Sequence, residues 1–503
     1  MAWPNPFKRK TENTRTCWGY TFELTPEHLT PEQMHPLKHS YDVLGEQALL
    51  RLNEISPPPR NALPRNSSQY AARMDKTGEA PEEQDRSLGD DRSPGKRDEH
   101  TPPRRDLYAL LRDNADKDEK LGELWRQLNT VPEWVDWEQI ERGQDVFYRY
   151  GSAALTGLAY QSLLGGMGAA RVVETLARTG GFSTKVARRR IFETTQHILQ
   201  CTKSIENLKP GGEGFASSVR VRLLHAAVRL RIMKLAESRP EYYKLEEWGV
   251  PINDLDNLAT IGTFSATLIW LSFPRQGIFI REQEATDYIA LWRYIGYLLG
   301  TPTDHFETPE KAKKMMDVLL LYEIQPTSTS KILANNIIKS LQDQPPYFAS
   351  SDMLIASARW LNGNELCDRL GLPRPSLYYW ALMAGQCIFF MAMNYGYRSV
   401  PSWDRKKNAM TRKVFWQFIV ESKWGMGGDK TNFDFKYVPE YGILTELGES
   451  QPAVLSSAGG VERRNLKWLL IGLGTWAVGS YVGLKVVSGV VSGVTRVTRY
   501  AWR

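Results

Sequence analysis

From Leu107 to Phe433 the apolar residues recur mostly three and four positions apart, as in "ATDYIALWRYIGYLLG" and "KAKKMMDVLLLYEI", with proline and glycine between the runs. That spacing lays apolar side chains along one face of an α-helix. Alternating strand patterns are scarce and no fixed repeat period is present, so the pattern predicts one large all-α domain over 106–440. The run "LYYWALMAGQCIFFMAM", Leu377 to Met393, is apolar all round but short for a bilayer span, and reads as a core helix.

The periodicity breaks twice. From Ser56 to Arg105 the chain contains no Ile, Val, Phe or Trp. Such a segment buries too little apolar surface to offset its ordering entropy, so 56–105 is expected to be a disordered insert. It separates an N-terminal helical extension, 1–55, carrying "YDVLGEQALLRLNEI", from the main domain. At the other end, a linker at 441–465 leads to "WLLIGLGTWAVGSYVGLKVVSGVVSGV", Trp468 to Val494, which has one charge, Lys485, in 27 residues. That length matches a bilayer core of about 30 Å, so 466–494 is expected to be a transmembrane helix. Arg463, Arg464 and Lys467 precede it, and 495–503 forms a basic tail. The expected fold class is therefore all-α with a C-terminal transmembrane helix. The expected topology is a single-pass tail anchor with the catalytic domain in the cytosol, the endoplasmic reticulum being the first destination and the mitochondrial outer membrane the alternative.

Composition adds limits. The 503 residues are 42% hydrophobic and include 16 Trp, 22 Tyr and 17 Phe, ample for a large core. A net charge of +7, from 64 basic and 57 acidic residues, is too small an excess to argue for nucleic acid without a dense basic patch. It suits an anionic membrane surface or an anionic cofactor. Cys17, Cys201, Cys367 and Cys387 make no metal-binding spacing and read as reduced thiols. The N-terminal segment has no apolar stretch of the kind a secretory signal needs.

The candidate chemistry centres on "VRVRLLHAAVR", which sets His225 in an apolar run among arginines. On a helix His225 shares a face with Val221, Arg222, Val228 and Arg229. An imidazole on an apolar strip edged by guanidinium groups suits a flat apolar ligand with anionic edges, and haem is such a ligand. A lone helical histidine is also an ordinary structural residue. A second helix, "ARRRIFETTQHILQC", puts Arg190, Thr194, His197 and Cys201 on one stripe beside Glu193, and Glu174 lies upstream in "RVVETLARTGGF". Arg190 and Glu193 could equally be a solvated ion pair.

Taken together, "TVPEWVDWEQIERGQDVFYRYG", "LKPGGEGFASSVRVRLLHAAVR", "WGVPINDLDNLATIGTFS" and "EQEATDYIALWRYIGYLLG" resemble the catalytic domain shared by bacterial latex clearing protein, a rubber oxygenase, and the fungal ER-bound oxygenase mpaB. The resemblance spans roughly Val131 to Tyr322, and more loosely the helices to about Phe433. It implies a globin-like helical core with haem b bound through His225, dioxygen as co-substrate, and oxidative cleavage of a C=C bond in a lipophilic, isoprenoid-type substrate. It also implies a distal side lined by Glu174 as base, with Arg190 sixteen residues on and Thr194 four further. Arg222 and Arg229 are the cofactor-binding arginines expected from the helix face. The family can place a lysine immediately before that threonine, and Glu193 stands there instead. Two other readings stay open: a non-haem metal held by His225, His197 and Glu193, and a membrane-anchored lipid-binding scaffold without chemistry.

Overall fold

The computed structural model describes residues 10–58, 105–431 except 180, 181, 185 and 346, residue 433, and 460–501. Most of the expected insert and of the linker lies outside the described residues. The chain opens with an unexpected antiparallel hairpin, β1 (Thr14–Cys17) and β2 (Tyr20–Glu23). Trp18 and Gly19 turn it with φ of 51° and 72°. Four-residue strands are too short to leave a readable alternation.

The longer helices are α1 (Val43–Ile55), α2 (Leu107–Asn114), α3 (Glu119–Asn129), α4 (Trp137–Arg149), α5 (Ala170–Arg178), α6 (Ala187–Thr202), α7 (Glu213–Ser238) and α8 (Asp254–Phe264). They are followed by α9 (Glu282–Leu298), α10 (Pro309–Tyr322), α11 (Ser328–Leu341), α12 (Ser351–Arg369), α13 (Leu377–Arg398), α14 (Pro401–Trp416) and α15 (Gly460–Ala501). Their starts follow the chemistry of capping: Asp42, Asp106, Asp118, Asp136, Thr308 and Ser350 each accept a backbone N–H of the first turn.

The 26-residue α7 is central, packed between α6 and α1. Three of its arginines hold the preceding segments. Arg220 grips the α2 cap Asp106 with two bonds of 2.8 and 2.7 Å, and Arg222 grips the α1 cap Asp42 with two of 2.7 Å. Arg229 donates to the carbonyls of Pro251 and Ile252 and stacks on Tyr41. The N-terminal extension is thus part of the domain. Arg105 donates to Leu52 O and Asn53 Oδ1 at 3.1 and 2.8 Å, so the chain returns after the insert to the end of α1, where it left.

α4 and α9 share the most extensive helix–helix contact among the described residues, and Gly143 permits it. A Cβ there would run into the Asp287 carbonyl oxygen and Leu291 Cβ. Gly143→Ala is expected to lower stability by about 1–3 kcal/mol, as overpacking of a tight core does. Thermal unfolding beside the parent checks it.

One expectation about the C-terminal half is revised. α13 is not a fully enclosed core helix: Leu382, Met383 and Phe390 are buried, but Leu377, Ile388 and Phe389 are exposed. The expected span falls within α15, a single 42-residue helix. Among the described residues no helix is long and apolar enough to cross a membrane, and the side chains beyond Lys485 lie outside them. The first turns of α15 dock on the domain: Glu462 accepts from Ser350 N at 2.7 Å, and Leu466 packs by Tyr379 and Leu382.

Candidate active site

The site forms where α5, α6 and α7 meet the aromatic segment after α7. Leu224, Val228 and Ile232 of α7 pack with Tyr242, Tyr243 and Phe433, and Val221 and Trp248 border them. This apolar wall flanks His225, whose ring is partly exposed while its Nδ1 is buried without a hydrogen-bond partner. Burial, then Arg229 and Arg190, push its pKa down to about 4, so the imidazole is neutral. A neutral ring that no protein group engages is a nitrogen donor available to a ligand.

His197 is different. It lies on α6 within electrostatic reach of His225, and burial followed by that neighbour lowers its pKa to about 4. Its Nδ1 is 2.9 Å from Ser217 Oγ, and Phe433 meets its ring edge-on. Among the described residues no three His, Cys, Asp or Glu side chains are grouped to hold a metal ion. The arrangement of His225, His197 and Glu193 expected for a non-haem site is therefore not assembled.

Glu174 lies on α5 and Arg190 on α6. Glu174, 9% exposed, takes a 2.7 Å bond from Arg178 Nη1 on the next turn of α5. Arg178 is buried against the rings of Tyr242, Tyr243 and Trp248, which fixes the carboxylate beside the apolar wall. Arg190 is half-buried and pairs with Glu193 at 3.6 Å, and Glu193 also accepts from Arg189 at 3.3 Å. Glu193, standing where the family can carry lysine, is thus tied to its own helix. Thr194 is exposed and donates to Arg190 O at 3.0 Å.

Arg229 and Arg190 both lie within electrostatic reach of His225, and Glu174 is held by Arg178 beside the aromatic wall, but the Arg222 and Arg229 guanidinium groups do not edge a ligand face. Both guanidinium groups, expected at the edge of the ligand face, are buried and engaged by Asp42, Gln127, Glu46 and the carbonyls of 251 and 252. The physical reason is charge: a cation on an apolar helix face is buried only with a partner. The sequence reading missed Arg178, although its i,i+4 spacing from Glu174 signals the pair, and missed the "YYKLEEW" rings, whose place no local pattern gives.

These two neutral histidines predict the acid sensitivity of the cofactor-free chain. His197 is neutral in the fold, but in the unfolded chain it takes up a proton below about 6.5. Stability is therefore full above that value and is lost as pH falls toward about 4, by about 3 kcal/mol for this one group. His225 acts in the same direction. The expected result is a lower urea midpoint at the acid end of this window than at neutral pH, with a smaller difference in His197→Gln.

The described chain is mostly helical, with His225 on its central helix α7 beside an aromatic wall. Residues 148–388 match the catalytic domain of the ER-bound oxygenase mpaB/B'/rubber oxygenase family. The solved structure of latex clearing protein in its closed state superposes with a TM-score of 0.52 at 16% identity, covering 76% of this chain and 92% of that one, and shares its fold. Aurantioclavine synthase cnsA of Penicillium expansum is 58% identical over 33 residues. That match spans 7% of this chain and 7% of the relative's length.

Proposed function

We propose that this protein is a haem-dependent oxygenase that cleaves a carbon–carbon double bond of a lipophilic, prenyl-type substrate at a membrane. The observation that carries the reading is His225: a neutral imidazole on an apolar, aromatic wall, with a buried nitrogen that no protein group satisfies. An unpartnered buried nitrogen costs about 1–3 kcal/mol, and such a site persists where a ligand engages the ring. These residues fit a haem held by one imidazole. They do not fit a metal ion that needs three protein ligands.

Haem b bound through His225 would supply the binding and activation of dioxygen. The chain's own groups do the rest. Val228, Tyr242 and Tyr243 give the substrate a dry apolar surface. Arg178 holds Glu174 through Oε2, leaving Oε1 to accept a proton from the substrate. Arg190 supplies positive charge on the facing helix, and Thr194 secures the turn that carries it. Inserting both atoms of dioxygen across a cleaved C=C bond yields two carbonyls and balances without an external reductant.

The exposed apolar helix α15 supports membrane association. Trp468, Leu470, Trp476, Val478, Tyr481 and Leu484 stand in solvent, which is unfavourable in water and suited to lipid. The family's description supports the endoplasmic reticulum as the membrane.

The test supplies haem during expression, then offers the purified chain prenylated alkenes under isotopically heavy dioxygen. Label in both carbonyl products is the expected result; product with unlabelled carbonyl oxygens, or no product, overturns the reading. Glu174→Gln is expected to keep the Soret band and lower turnover by about 10²–10⁴-fold, the worth of a positioned base.

A further inference from the structure

We propose that the outward face of α14, together with an aromatic rim around Trp424, docks on an anionic lipid bilayer. The inference deepens the membrane reading above and rests on it. In α14, Trp403, Lys406, Met410, Lys413 and Val414 fall at i, i+3, i+7, i+10 and i+11, which places them on one helical stripe. Trp403, Met410 and Val414 are 57%, 59% and 48% exposed, and both lysines are exposed. The helix has one acid, Asp404, and that is buried and accepts from Arg149 Nε at 2.8 Å. The outward stripe is therefore apolar and cationic with no negative charge. Lysines between apolar residues can lay their stems along acyl chains and keep their ammonium groups among anionic headgroups.

The rim extends the surface toward the site. Tyr347 and Phe348 are exposed, Tyr347 meets the Phe418 ring at 5.7 Å, and the Lys423 ammonium lies over the exposed Trp424. Phe348 holds a φ of 47°, so an apolar side chain is kept in water by a backbone conformation that itself costs energy. Arg188 ties this rim to α6, donating to Pro345 O and Trp424 O at 3.1 and 2.8 Å. Arg188 is two residues from Arg190, in the half of α6 whose Thr194 is exposed. The apolar rim and the accessible side of the candidate site therefore share one helix.

The experiment uses the full chain in a Cys17→Ser background with Met410→Cys carrying an environment-sensitive fluorophore. It is floated with phosphatidylcholine vesicles, with or without phosphatidylserine, containing acyl-chain-brominated lipid. The expected result is flotation, with quenching of the fluorophore in phosphatidylserine vesicles. That quenching should be lost in Lys406→Gln/Lys413→Gln, with docking weakened about five-fold for each lysine neutralised. Flotation without quenching overturns the docking face and leaves α15 as the membrane contact. Failure of both overturns the docking face and the membrane reading together. Concentration-dependent shielding of the fluorophore without lipid assigns the face to a second copy of the chain and overturns the proposal. The Soret band of the same samples reports the oxygenase reading separately.

Discussion

His225→Ala is expected to abolish the Soret band of the haem-supplied protein while leaving it folded. The ring makes no hydrogen bond in the described structure, so its removal strands no partner and eliminates one buried unsatisfied nitrogen. Relief of that penalty, about 1–3 kcal/mol, offsets much of the packing lost with a half-buried ring. The net stability change should fall within about 1 kcal/mol. Far-ultraviolet dichroism and the thermal midpoint should match the parent, and added imidazole should restore part of the Soret absorbance. His197→Ala is the reverse case: its ring is buried and bonded to Ser217, so the expected result is loss of stability with the haem band kept. A full haem complement in His225→Ala would refute the ligand assignment, and loss of the band only in His197→Ala would transfer it.

The two histidines also show what a sequence discloses. Both lie on helices whose apolar spacing is legible, and α6, α7, α9 and α10 fall where the 3.6-residue period puts them. Which histidine is satisfied depends on a serine twenty residues away in the chain, and no helical pattern encodes that contact. The same limit explains Glu174: its pairing with Arg178 is local and readable, but the cage of Tyr242, Tyr243 and Trp248 is assembled by the turn after α7. The hairpin at Thr14–Glu23 left no signal because four-residue strands are shorter than the alternation that would reveal them. For α13, composition suggested a core helix, whereas the structure leaves Leu377 and Phe389 open, because burial is set by the neighbours a helix finds.

Arg222 provides the strongest stability prediction and separates the two roles a basic edge can have. Arg222→Ala is expected to cost about 3–5 kcal/mol, because it leaves the Asp42 carboxylate buried without its counter-ion. Asp42 also caps α1 by accepting from Gly45 N at 3.0 Å, so the damage should spread to the N-terminal extension and show as early proteolysis there. Replacing the pair together, Asp42→Asn with Arg222→Met, retains a capping side chain and the buried volume while removing both charges. That variant should recover most of the loss, within about 1–2 kcal/mol of the parent. The haem band decides the assignment. If Arg222 serves only as a clamp, haem affinity per folded molecule is unchanged across the parent, the Asp42→Asn variant and the stable double variant. If the guanidinium also held a propionate, the double variant would fold and still bind haem more weakly. The bidentate geometry favours the clamp, since both 2.7 Å bonds run from Nε and Nη2 to one carboxylate and Nη2 is shared with Gln127. An arginine one turn from a ligand histidine reads the same in sequence whether it faces a cofactor or a neighbouring helix cap; a competing carboxylate 180 residues upstream settles which.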